Sequence, residues 1–253
     1  MYPEQRREQM MVLLAKHGFI PIADLAGMLG VSEMTVRRDL RALQESGQVQ
    51  QVTGGGKVAT VASEPAFMTK RVLQQTEKHA IAKASLRFIE PGMTIGLSAG
   101  TTTWTLAGLI QGFDHLTFVT NSTNIAIDLS GNGWSDIILT GGNFRTPSDA
   151  LVGPLAEHAI RRLHTDILFL GVHGVDPVHG ISTPNLLEAA IDRAMMEHTS
   201  RVVVLFDHTK WDIVALAHIA DVEEIDVAIT DGLSGDRQQA LLREAGVDVV
   251  VVS

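Results

Sequence analysis

The chain has 253 residues, 45% hydrophobic and 19% charged, a globular balance that excludes a disordered chain and leaves room for one large domain or a medium one with a small companion. It has no cysteine, which excludes a disulfide framework, a zinc–thiolate site and a cysteine nucleophile and suits a reducing cytoplasm. The net charge of −9 argues against a nucleic-acid binder, but it hides an asymmetry: residues 1–57 carry +1 and the remainder −10. No apolar run approaches the ~20 residues of a membrane span. The charged start MYPEQRREQM predicts no secretory signal, so the expected location is cytoplasmic with no membrane partner.

In chain order, a first helix is predicted from Pro3 to about Lys16, with Met10, Leu13 and Leu14 at helical spacing and His17-Gly18 as its stop. A second follows Pro21, with Leu25, Met28 and Leu29 as its buried face. Gly30-Val31 makes a tight turn. Ser32 caps a third helix that runs to about Ser46 and ends at Gly47. Val49–Val52, a glycine turn and a return to Val58 form a hairpin. Three helices and a hairpin are the winged form of a helix-turn-helix, predicted over residues 1–58. A linker and connecting helix are expected over 59–75, and an α/β domain over 76–253.

Within that last segment an alanine-rich helix reaches about Ile89, and Glu90-Pro91-Gly92 breaks it. Short apolar runs then alternate with helical stretches. The runs are Thr94–Leu97, Leu116–Val119, Asp136–Leu139, Ile167–Leu170, Val202–Phe206, Val227–Ile229 and Val247–Val252. That rhythm predicts a mostly parallel sheet covered on both faces.

On a helical wheel the third helix turns Val36, Leu40 and Leu43 to one side and Met34, Arg38, Arg41 and Glu45 to the other, with Arg37 on the flank. Such a helix packs by one face and offers guanidinium forks by the other. Those forks suit guanine edges or phosphates in a major groove. Ser32, Thr35 and the free N–H groups at the helix start suit a backbone phosphate. Glu33 and Glu45 work against it.

Val31-Ser32-Glu33-Met34-Thr35-Val36-Arg37-Arg38-Asp39-Leu40, then Leu43 and Gly47, resembles the signature of the DeoR family of bacterial transcriptional regulators. The paired-glycine wing of that family is matched by Gly54-Gly55. Where the family usually carries basic or histidine residues, this chain has Gln50-Gln51-Val52-Thr53, leaving Lys57 to supply the wing's charge. The expected DNA contacts are therefore Ser32, Met34, Thr35, Arg37, Arg38, Arg41 and Lys57.

Six of the predicted strands end in groups that hydrogen-bond a polyol or an anion: Ser98-Ala99-Gly100-Thr101-Thr102-Thr103, Thr120-Asn121-Ser122, Thr140-Gly141-Gly142, Gly171-Val172-His173-Gly174, Asp207-His208-Thr209-Lys210 and Thr230-Asp231. Open parallel sheets bind ligands beyond the carboxyl ends of their strands. The first loop, a glycine followed by three threonines opening a helix, has the makings of an anion site. It is neither a Walker loop nor G-x-G-x-x-G, so no nucleotide cofactor is expected. No metal site is expected either.

These blocks also resemble the DeoR sensor domain, which is similar to ribose-5-phosphate isomerase and CoA-transferase folds. The resemblance implies an anionic, sugar-derived effector at the strand ends. The expected effector residues are Ser98, Gly100, Thr101, Thr102, Thr103, Thr120, Asn121, Ser122, Gly141, Gly142, His173, Asp207 and Lys210. Two positions depart from the family. Ser98 stands where Asp is common, and His173 where Asn or Ser is frequent. Both changes make the site less negative, which points to an effector more anionic or differently oxidised than a plain aldose phosphate, for example a sugar-acid derivative.

An isomerase would need a carboxylate base, and Asp149, Asp176, Glu188 and Asp207 are the candidates. The ten histidines are scattered without an H-E-x-x-H pattern. The expectation is a regulator, a repressor of a sugar or sugar-acid operon that binds double-stranded operator DNA as a homo-oligomer, dimer or tetramer, and is not an enzyme. The alternatives are a sugar-phosphate isomerase or transferase with an accessory helical domain, and a metabolite-binding scaffold without a DNA function.

Overall fold

A computed structural model describes residues 3–17, 19–45, 49–52, 55–58, 67–232 and 236–252. The chain separates into two compact units, Met1–Gln75 and Thr76–Ser253.

The first unit contains α1 (Pro3–His17), β1 (Phe19–Pro21), α2 (Ile22–Leu29), α3 (Glu33–Glu45), β2 (Val49–Val52), β3 (Gly55–Val58) and α4 (Phe67–Arg71). Its sheet has the order β1-β3-β2 and is antiparallel throughout. β1 was not legible in the sequence, because three residues are too few to show alternation. Pro21, which has no N–H, fits at the end of such an edge strand. Between α2 and α3, Gly30 takes the left-handed conformation (φ 64°), and the Val31 N–H donates to Ala26 O at 3.1 Å.

Met10, Met11 and Leu14 of α1 pack with Ile22, Leu25, Ala26 and Leu29 of α2 and with Val36, Leu40 and Leu43 of α3. Met28, expected in the buried face of α2, is 56% exposed. The stripe that packs is Ile22, Leu25, Ala26, Leu29, spaced i, i+3, i+4, i+7, and Met28 lies about 100° away from its centre. The expected helix stops at Gly18 and Ser46-Gly47, the turn residues Thr53-Gly54 and the linker over 59–66 lie outside the described residues.

The second unit opens with α5 (Gln75–Ser85). It ends four residues short of the expected Ile89, in a 3-10 turn over Leu86–Phe88. The seven apolar runs become the seven strands of one all-parallel sheet: β4 (Thr94–Leu97), β5 (Thr117–Thr120), β6 (Ile137–Leu139), β9 (Ile167–Gly171), β12 (Val202–Leu205), β14 (Val227–Asp231) and β15 (Asp248–Val252). Between and around them come α6 (Thr101–Leu109), α7 (Thr123–Gly131), β7 (Asn143–Arg145), β8 (Ala150–Val152), α8 (Pro154–Ile160), β10 (Gly174–Asp176), β11 (Gly180–Thr183), α9 (Leu186–Glu197), β13 (Ala217–Ala220) and α10 (Asp236–Glu244).

The large sheet runs in the order β6-β5-β4-β9-β12-β14-β15. Alternate residues along it feed opposite cores. Ile167, Phe169, Val203, Leu205, Val227 and Ile229 pack on the face that includes Ile81, Leu106 and Ile125 of α5, α6 and α7. Leu168, Leu170, Val202, Val204 and Ala228 pack on the face that includes Ala156, Ile191 and Leu242 of α8, α9 and α10. Both faces are covered, as continuous apolar runs require. Each fully buried Leu, Ile or Phe contributes about 1.5–3 kcal/mol.

The five short strands were not read from the sequence. β7 pairs only with β8, and β10, β11 and β13 form a small antiparallel sheet. Three or four residues each, with no consistent alternation in burial, leave no period-2 signal.

Candidate functional site

In the first unit, the start of α3 is held by Ser32. Its Oγ accepts the Thr35 N–H at 3.3 Å and lies 3.0 Å from the Thr35 hydroxyl. Met34 is 78% exposed, and Arg37, Arg38 and Arg41 are exposed as well. Arg37 makes a loose pair with Glu33, Nη2 to Oε2 3.5 Å, between half-exposed side chains. Among the described residues Arg38 and Arg41 make no ion pair. The outward face of α3 thus carries three guanidinium groups, two of them uncommitted. Lys57 lies in β3, paired in register with Phe19 and Gln50; its side chain lies outside what is described.

What holds this face in place was missed in the sequence. Asp39 is fully buried and accepts from Arg6 Nε at 2.6 Å and from Arg7 Nε at 3.4 Å. The pair ties α1 to α3. Its signal was available: Val36, Asp39, Leu40 and Leu43 are the i, i+3, i+4, i+7 stripe, so the carboxylate had to point inward. Removing one partner of such a pair costs about 3–5 kcal/mol, because the other charge is left buried alone.

In the second unit, the strand order places a topological switch between β4 and β9, where neighbouring connections leave in opposite directions. The loops after these two strands meet there. Ser98 is fully buried; its Oγ accepts the Gly171 N–H at 3.0 Å and its N–H donates to Phe169 O at 3.1 Å. A Cβ on Gly100 would lie 3.0 Å from Thr103 Oγ1 and 3.8 Å from Gly171 Cα.

Several residues expected to touch a ligand also bond within the protein. Thr103 Oγ1 donates to Ser98 O at 2.7 Å and to Gly100 O at 3.0 Å. Thr120 Oγ1 donates to Leu97 O at 2.7 Å and accepts the Ser122 N–H at 3.1 Å. Asn121 Oδ1 accepts the Ala99 N–H at 2.8 Å, and its Nδ2 donates to Leu151 O at 3.4 Å. Ser122 caps α7, accepting the Ile125 N–H at 3.2 Å. Its hydroxyl, that of Thr123 and the Asn124 N–H (3.0 Å) all donate to the buried carboxylate of Asp149. The start of α7 is therefore already filled by a carboxylate of the protein's own.

The start of α6 differs. Its N-cap is Gly100, and no side chain caps its first turn. Among the described residues the hydroxyls of Thr101 and Thr102 have no hydrogen-bond partner. Backbone N–H groups and two open hydroxyls at the positive end of a helix dipole are the donor set that an anion requires.

The remaining expected residues belong to the loops after β6, β9 and β12. Gly141 and Gly142 have φ of 70° and 114°, and a Cβ on Gly142 would come 2.7 Å from Val152 O, so this turn needs glycine for packing as well as conformation. The His173 N–H donates to Ser182 O at 3.2 Å, which fixes it beside β11. Asp207 accepts from the Thr209 N–H (3.0 Å) and hydroxyl, and the Lys210 N–H closes the same turn onto Asp207 O at 3.0 Å. Beyond the expected set, Asp231 Oδ2 accepts the His208 N–H at 2.9 Å and lies 3.0 Å from His208 Nδ1.

All four candidate bases are engaged. Asp149 and Asp207 cap turns as described. Asp176 accepts from the Val178 and His179 N–H groups and pairs with the His179 ring at 2.8 Å. Burial alone would push its carboxyl up, but the His179 ring and the two N–H donors hold it below the usual aspartate range. Glu188 accepts from Thr183 Oγ1 at 3.2 Å and lies 3.0 Å from Arg145 Nη1. Among the described residues no group of three His, Asp or Glu side chains could hold a metal ion, and no helix is long and apolar enough to cross a membrane.

Residues 6–61 match the family model of the DeoR-like helix-turn-helix domain, and residues 73–232 that of the DeoR C terminal sensor domain. The chain is 32% identical over 252 residues to the HTH-type transcriptional regulator GolR of Listeria innocua serovar 6a, covering 99% of each chain. It is 30% identical over 246 residues to the HTH-type transcriptional repressor CsqR of Escherichia coli strain K12, covering 97% of this chain and 94% of that one. Among solved structures, a ribose 5-phosphate isomerase from Plasmodium falciparum aligns over 54% of this chain and 52% of that one, with 15% identity and a TM-score of 0.39. With matching models over both units and relatives alike along nearly its whole length, the chain belongs to the DeoR family of transcriptional regulators.

Proposed function

We propose that this regulator represses a sugar or sugar-acid operon. It grips double-stranded operator DNA through the outward face of α3 and lets go when an anionic, sugar-derived effector binds beside α6. One observation carries the reading: at the switch point of the parallel sheet, α6 starts uncapped, with the Thr101 and Thr102 hydroxyls open. Ser98, Thr103 and Asn121 shape that cradle, and Gly100, Thr101 and Thr102 meet the anion. His173 and Lys210, which follow β9 and β12, would reach toward it from their strand ends.

Arg38 and Arg41 are the groups best disposed to reach bases or phosphates, with Ser32, Met34, Thr35 and Arg37 around them. A single unit of near-neutral charge grips DNA weakly. A homo-oligomer, dimer or tetramer, acting in the cytoplasm on paired half-sites, supplies the rest. The isomerase alternative finds no support, since each candidate base already serves a turn, a cap or an ion pair.

The test is a thermal-shift screen of pentose and hexose phosphates and sugar acids, followed by a gel shift on DNA upstream of the protein's own operon. A ligand at 100 times its Kd adds about 2.7 kcal/mol of stability. The expected result is one chemical class that stabilises the protein and releases the DNA. Retarded DNA that no anionic sugar derivative releases would overturn the effector half. Turnover of a sugar phosphate in a coupled assay would revive the isomerase.

A further inference from the structure

The first turn of α3 carries Glu33, Met34, Thr35 and Val36 behind the cap residue Ser32. Val36 is fully buried. The polar groups of this turn face one another. Ser32 Oγ lies 3.0 Å from the Thr35 hydroxyl and accepts the Thr35 N–H, and the Glu33 carboxylate is drawn to Arg37 at 3.5 Å. Met34 is left as the side chain that the turn presents outward. It is more exposed than any other large apolar side chain described in the first unit.

Position gives that exposure a meaning. At about 100° per residue, Met34, Arg38 and Arg41 fall within about 60° of one another, so Met34 begins the stripe that the two uncommitted guanidinium groups continue. Arg38 follows about 6 Å further along the axis, less than two base-pair steps. In helix-turn-helix proteins the beginning of the second helix is the part that meets base edges. Met34 stands at that beginning.

What a methionine can read there is set by chemistry. The base edges of the major groove carry ring-nitrogen and carbonyl acceptors, amino donors and one apolar group, the thymine 5-methyl. A thioether has no proton to donate and accepts weakly. Set against a guanine oxygen or a cytosine amino group, it strips water from a polar atom and returns no comparable bond. Set against a methyl, it lets both apolar surfaces leave water, and its unbranched side chain adapts to the contact. We infer that Met34 reads a thymine methyl in each operator half-site, within about three base pairs of the base or phosphate that Arg38 meets. This rests on the reading of α3 as the DNA-gripping face and adds the base that its first turn selects.

The test uses a duplex that the full-length protein selects from a randomised library. Each thymine of one half-site is replaced in turn by deoxyuridine, which lacks only the methyl, and fluorescence anisotropy at fixed salt gives the affinities. One replacement should weaken wild-type binding about fourfold, the fold-change that corresponds to one buried methyl. In Met34→Ala the same replacement should change affinity less than about 1.5-fold, because the contact is already gone. Met34→Leu should keep the sensitivity. Met34 is exposed, so neither variant touches the packed side of α3. Full wild-type affinity for every deoxyuridine duplex, or a loss that persists undiminished in Met34→Ala, would overturn the inference and leave the arginine grip standing. Selection of no duplex, or wild-type affinity in a variant carrying both Arg38→Ala and Arg41→Ala, would overturn the α3 reading itself.

Discussion

On α3 the groups offered to a partner follow one another along a single helix, from Met34 through Arg38 to Arg41, and all are exposed. Around the end of β4 the corresponding groups come from several strand ends, and Ser98, Thr103, Thr120 and Asn121 are buried and bonded to backbone. The first arrangement suits a long, regular polyanion met edge-on, where local spacing is enough. The second suits a small ligand that must be surrounded, where much of the polar chemistry goes into shaping the walls. The two units thus put their polar groups to opposite purposes, presentation in one and construction in the other.

The sharpest way to break that contrast is Asp39→Ala. It leaves Arg6 buried beside a missing partner and should cost the first unit about 3–5 kcal/mol. Calorimetry should show an early transition for that unit while ligand-induced stabilisation of the second persists. Loss of the ligand response would mean the units do not fold independently.

Gly142→Ala probes the other side. It forces a Cβ to within 2.7 Å of Val152 O at φ 114°, and about 1–3 kcal/mol should be lost from the second unit. Protein mixed from denaturant melts should keep unchanged transitions for the first unit.

Arg38→Ala should weaken operator binding by about 1–3 kcal/mol if its fork meets a base. Thermal stability and effector response should stay as in wild type. Arg37→Ala should do less, since Arg37 is partly held by Glu33. Fluorescence anisotropy at fixed salt would measure both, and a larger effect for Arg37 would reverse their assigned ranks.

The smallest effect concerns pH. Asp176 has a lowered pKa in the folded protein, so its contribution is present at neutral pH and fades as pH falls below about 4. The melting-temperature gap between wild type and Asp176→Asn should close over that range; a gap that widens on acidification would contradict the assigned direction.

Much of this was legible in the sequence because its signals are local. The α3 stripe of Val36, Leu40 and Leu43, the Ser32 cap and the Gly30 turn lie within a few residues of one another, and each follows from helix geometry alone. The parallel sheet was legible because its strands are buried on both faces and so read as unbroken apolar runs. What escaped is whatever depends on a partner distant in the chain. The stripe turns Asp39 inward, but its partner Arg6, 33 residues away, leaves no mark beside it in the sequence. The bonds of Asn121 to Ala99 and Leu151, 22 and 30 residues away, are likewise unmarked beside it. The short β7, β8, β10, β11 and β13 carry no period of their own, and the Arg145–Glu188 pair that they and α9 bring together was therefore invisible.

The carboxylate of Asp149, tucked onto the start of α7, bears on selectivity between neighbouring helices. A tethered group acts at an effective concentration that free metabolites do not approach. Any solute visiting the end of β5 must displace an intramolecular competitor, whereas the adjacent α6 has none. If an anion docks at α6 as proposed, discrimination between the two helix starts would be achieved by chain connectivity, and it would persist however the cell's phosphate level varies.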